Sequence, residues 1–164
     1  SKAVRFLRQS AAVKYLPAMH SLALIVVEHP QLGKSPHEAQ DLLECTANAG
    51  YWKSSFLRGI LARDGNGVPA DSKDAYFFFQ VAILQVGAEA EKLIGQDARQ
   101  LAMVLGTEQA QGLESKASSW VQQHHATPAF VHIKDQGDKI FSDPTGQSPS
   151  GALNADLPLS NPSS

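Results

Sequence analysis

Between Gly50 and Gly87 the apolar residues fall into two helical stripes. Phe56, Leu57, Ile60 and Leu61 make the first, and Ala75, Phe78, Phe79, Ala82 and Ile83 the second. Both follow the helical period, and neither alternates as a strand does. The residues between them punctuate. Gly65-Asn66-Gly67 tolerates the left-handed conformation that ends a helix, Val68 tucks inward behind the turn, and Pro69 cannot continue a helix. Asp71 is placed to cap the second helix, with Asp74 in its first turn, where negative charge suits the helix dipole. The stretch predicts a helix over about 51–64, a turn, and a helix over about 72–85.

The same plan recurs at a fixed distance. Displaced by 36 residues, Ala39 falls on Ala75, Leu42 on Phe78, Leu43 on Phe79, Thr46 on Ala82 and Ala47 on Ile83. Ser35 falls on Asp71, and Ser35-Pro36-His37-Glu38 has the form of a capping box with proline at the first helical position. Upstream, Ala18, Leu22 and Ala23 fall on Ser54, Arg58 and Gly59; downstream, Ser54 and Gly59 fall on Ala90 and Gly95. Such a period marks supersecondary units stacked one on another. The units run over about 15–49, 50–86 and 87–124, behind a partial unit at 1–14 with Val4, Leu7, Ala11 and Ala12 facing inward. Further helices are predicted at about 17–28, 36–48, 88–105 and 108–123, with Thr107 capping the last. Leu113, Ala117, Trp120 and Val121 share one face of that last helix. The opposite face is polar, which suits an element closing the end of a stack.

From about 125 onward five prolines mix with Ser, Gly, Asn and Asp and the helical period ends, so 125–164 reads as a largely disordered tail. Its short apolar runs, Phe130-Val131-His132-Ile133 and Ile140-Phe141, either dock on the helices or stay solvated.

The pattern G-x3-A-x3-L-G-x2-Y-x2-G-x-G-V-x2-D-x2-K-A-x2-W-Y-x2-A-A belongs to Sel-one-like repeats, short relatives of the tetratricopeptide repeat. The chain resembles it at Gly50, Gly59, Gly65, Gly67, Val68, Asp71, Ala75, Phe79 and Ala82, and departs from it at Ser54, Arg58, Ala62, Asp74 and Ile83. The likeness covers roughly residues 3–124, strongly in the middle unit and by register alone at the flanks; the closing helix also looks like that of many bacterial members. The resemblance implies an all-α, right-handed α/α solenoid of about seven helices in which the first helix of each unit lines a concave groove. Carried over by position, the lining residues include Lys53, Phe56, Ile60 and Arg63 in the middle unit. Pro17, His20, Leu24 and Val27 precede them, and Glu89, Lys92, Gln96 and Arg99 follow. That implies a non-catalytic protein–protein interaction module, an adaptor or scaffold, whose groove takes an extended or helical peptide with an acidic end. The rival expectation is a structural or capping fragment of a longer repeat scaffold with no groove of its own.

Composition narrows the alternatives. A length of 164 residues at 43% apolar content suffices for one domain with a real core. A net charge of -2 argues against a general nucleic-acid or acidic-membrane binder. No apolar run approaches a membrane span, and Leu22–Val27 reads as part of a buried helix. The single Cys45 forms no internal disulfide and reads as a semi-buried structural residue. The compartment is left open between cytoplasm and periplasm, and the chain is expected to be a monomer or a piece of a longer scaffold.

Catalytic and metal chemistry are the remoter expectations. The six histidines include His124 and His125, which point about 100° apart on a helix, and His132 in the tail, a poor basis for a zinc site. Gly59, Gly65 and Gly67 make no phosphate loop, since no strand precedes them and no Lys-Ser/Thr follows. No nucleophile elbow or triad context accompanies the serines. No cofactor, metal or catalytic residue is expected.

Overall fold

Seven α-helices make up the described part of the chain, residues 1–124 of a computed structural model. They are α1 (Lys2–Ala12), α2 (Leu16–Glu28), α3 (Glu38–Asn48), α4 (Trp52–Asp64), α5 (Ser72–Val86), α6 (Ala88–Leu105) and α7 (Thr107–Gln123). A single 3-10 turn, Pro30–Leu32, follows α2, and the described residues contain no strand. The expectations for 125–164, including His125, His132 and the two short apolar runs, lie outside the described residues.

The central hairpin forms as its sequence requires. Gly65 ends α4 at φ 70°, ψ 35°, and Gly67 sits at φ 74°. Both values lie in the left-handed region that glycine enters without steric cost. Asp71 Oδ1 then accepts the Lys73 and Asp74 amides at 2.8 and 3.1 Å, satisfying two orphan donors at the start of α5. Helices α5 and α6 are separated by Gly87 alone, and α6 and α7 by Gly106 alone.

Each helix packs on the next, and α5 packs on α4, α6 and α7. Val4, Leu7 and Ala11 of α1 cover Leu22, Val26 and Ala39. Ala23, Leu43, Leu57 and Leu61 join α2, α3 and α4, with Val68 turned in from the loop as expected. Phe79 is fully buried among Trp52, Tyr76, Ile94 and Ala98. Burial of such a ring contributes on the order of 2 kcal/mol.

Several local expectations are corrected. The Ser35 capping box does not form: α3 begins only at Glu38, after His37. The Glu38 carboxylate accepts instead from the Lys34 amide at 2.6 Å and pairs with the Arg8 guanidinium of α1. A contact from another helix has taken the side chain that the box needs. The Arg8 hydrogen bond is the main force holding the Glu38 carboxyl below its usual range, against desolvation. Thr107 is the first residue of α7 rather than its cap, and Ala12 is exposed. Cys45 is exposed, because its position on α3 turns it away from Leu43, Thr46 and Ala47.

Candidate functional site

The residues carried over to a groove sit on α2, α4 and α6. Where α2 meets α4, half-buried His20 places Nδ1 3.1 Å from Ser54 Oγ, and its ring meets Tyr51 edge-on at 5.4 Å. Ser54 and Thr46 are fully buried, their hydroxyl oxygens 2.5 Å apart. Thr46 Oγ1 also lies 2.9 Å from the Leu42 carbonyl oxygen and 3.2 Å from that of Leu43, so its single proton is shared among these acceptors and Ser54. Burial, aided by the Lys53 charge, pushes His20 down to about 4, so the ring is neutral at neutral pH.

Where α4 meets α6, Phe56 and Ile60 are half-buried against the cluster that holds Ala90, Ile94 and Ala98. Arg63 reaches across to Asp97 at 2.8 Å and also holds its neighbour Asp64 at 2.8 Å. That second pair keeps the Asp64 carboxyl below its usual range. Arg99 pairs with Glu91 at 2.8 Å on the surface. Lys53 and Lys92 are exposed and form no ion pair among the described residues. The four cations are therefore not equivalent: Arg63 and Arg99 are neutralised within the chain, and Lys53 and Lys92 carry the open charge.

Three arrangements escaped the sequence reading. Tyr76 donates its phenolic proton to Glu114 Oε1 at 2.6 Å, linking α5 to α7; burial and that carboxylate raise its pKa. Phe77, Trp120 and His124 form an aromatic ladder, with Phe77 edge-on to Trp120 at 6.4 Å and His124 stacked on Trp120 at 3.9 Å. Trp120 and His124 stand one helical turn apart, and that spacing was the available signal. Arg58 lies half-buried over the Phe78 ring, 4.3 Å from its centroid. Its only signal was a cation at a position of apolar register.

Among the described residues no group of three or more His, Cys, Asp or Glu side chains could hold a metal ion, and no helix is long and apolar enough to cross a membrane. No family model matches the chain, and no curated protein matches it.

Proposed function

We propose that residues 1–124 form a non-catalytic protein–protein interaction module, a right-handed solenoid of Sel-one-like, tetratricopeptide-like hairpins. It binds a peptide or protein partner along the face built from α2, α4 and α6. The observation that carries this reading is a shared offset. His20 meets Ser54 and Arg63 meets Asp97, and both pairs are 34 residues apart. One bridge joins α2 to α4 and the other α4 to α6. Equal offsets at two successive junctions are what a regular stack of first helices produces. Phe56 and Ile60 would give the face its apolar anchors, and Lys53 and Lys92 its charge.

The test follows from the ion pairs. Reversing Arg63 and Arg99 would break contacts within the chain, so Lys53→Glu with Lys92→Glu is the cleaner change. Peptides selected from a random library on the wild-type chain should bind the double variant about tenfold more weakly, with the gap widening at low salt. Unaltered affinity for every selected peptide rules the face out.

A second reading rests on a separate observation. Phe6 of α1 and Val13, which follows that helix, are 52% and 78% exposed, and α6 exposes Met103 and Val104. Apolar faces of that kind fit a structural segment of a longer scaffold. Selection of no peptide at all would favour it.

A further inference from the structure

Arg58 occupies a position that the rest of the chain fills with core. In the register of 36 residues its counterparts are Leu22 and Ile94, each 2% exposed. A guanidinium half-buried at such a site costs free energy unless its donors are satisfied. Among the described residues Arg58 makes no hydrogen bond or ion pair; it stacks on Phe78 and feels Glu44 and Asp74 at longer range. Burial holds it below its usual pKa, with those two carboxylates pulling the other way.

Arg58 lines a recess of about 300 Å³, together with Gln40, Val68, Pro69, Asp71, Asp74 and Phe78. Ala62 adds to the wall and leaves room where the repeat pattern places tyrosine. Arg58, Ala62 and Asp74, three positions at which the chain departs from that pattern, thus meet in one cavity. The volume is at the low end of those that hold small molecules.

The charges narrow the ligand. A simple carboxylate would pair with Arg58 but face Asp71 and Asp74. A simple amine would pair with the carboxylates but face Arg58. A small zwitterion satisfies both signs, its carboxylate on the guanidinium and its ammonium toward Asp74 and the Asp71 oxygen that the α5 amides leave unused. Val68, Pro69 and Phe78 supply an apolar wall for a short side chain. We propose that this recess binds a free α-amino acid with an aliphatic side chain.

Calorimetric titration of the full chain with L-leucine, L-valine and L-methionine tests this. At least one should bind, while isocaproate (carboxylate alone) and isoamylamine (amine alone) should not. Arg58→Leu and, separately, Asp74→Asn should each weaken binding by about tenfold or more, roughly the value of one charged contact. Arg58→Leu copies the residue at the equivalent buried position and Asp74→Asn changes an exposed side chain, so both variants should retain the wild-type helical spectrum. No heat with any of the three amino acids, or equal affinity in both variants, overturns the proposal. Equal or tighter binding of N-acetyl-L-leucine, which lacks the ammonium, also overturns it and points to a peptide C-terminus.

Discussion

Gly59 of α4 and Phe79 of α5 stand so close that a Cβ added to the glycine would lie 2.5 Å from Cε1 of the ring. The Ala75 carbonyl oxygen would be 3.3 Å away on the other side. Neither is the end of a flexible chain, since Phe79 is fully buried.

Gly59→Ala should therefore destabilise the fold by about 1–3 kcal/mol through overpacking, despite the roughly 1 kcal/mol that alanine gains over glycine inside a helix. Chemical denaturation measures this. In a double-mutant cycle Phe79→Leu should recover part of the loss, and a stabilised Gly59→Ala variant would contradict the contact.

The turn after α4 makes a second, independent demand. Gly65→Val and Gly67→Val should each cost about 1 kcal/mol or more, because valine is strained at positive φ. Gly65 should be the dearer site: its Cβ would press on Ala70 Cβ at 3.1 Å, whereas that of Gly67 meets only the Gln40 side chain, at 3.3 Å. Unchanged melting of both variants would refute the geometry.

Stability should depend on pH through His20. The folded chain keeps the ring neutral, so on acidification the unfolded chain takes up the proton first. The contribution is whole above pH 6.5 and is lost as the pH falls from about 6.5 to about 4. Allowing for partial exposure, the loss is roughly 2 kcal/mol. Glu38 and Asp64, held below their usual carboxyl range, lose their share at lower pH. Guanidinium melts at pH 7 and pH 5 should therefore differ for the wild type and converge for His20→Gln; an equal slope in both would remove His20 as the cause.

Neighbouring serines should respond in opposite directions. Ser55 Oγ is buried with no hydrogen-bond partner among the described residues, so Ser55→Ala should be neutral or stabilising by up to about 1 kcal/mol. Ser54→Ala leaves His20 Nδ1 without its partner, while Thr46 keeps the Leu42 carbonyl, and should cost about 1–2 kcal/mol. An unchanged or raised thermal midpoint for Ser54→Ala would show that the buried hydroxyls carry no net stability, and a lowered one for Ser55→Ala would show that its hydroxyl has a partner.

The helices were legible because period and punctuation act locally. Gly65, Gly67 and Asp71 perform their expected tasks with contacts only a few residues away in the chain. Sequence failed where a distant partner decided the outcome. Glu38 looked like half of a capping box until Arg8, 30 residues earlier, claimed it. At the candidate site, position placed Arg63 and Arg99 beside one another in register but could not say which acids would reach them. Asp97 and Glu91 did, and they turned two expected binding cations into internal pairs.

Cys45, exposed on α3, is the one thiol in the whole sequence. The sequence has no second thiol with which to close a ring on itself, so any disulfide that Cys45 forms joins two molecules. Oxidation to that covalent dimer is a bimolecular event, faster in concentrated samples and reversed by a reductant. Before oxidation, the same atom accepts one maleimide per chain and gives a single defined point for a spectroscopic label.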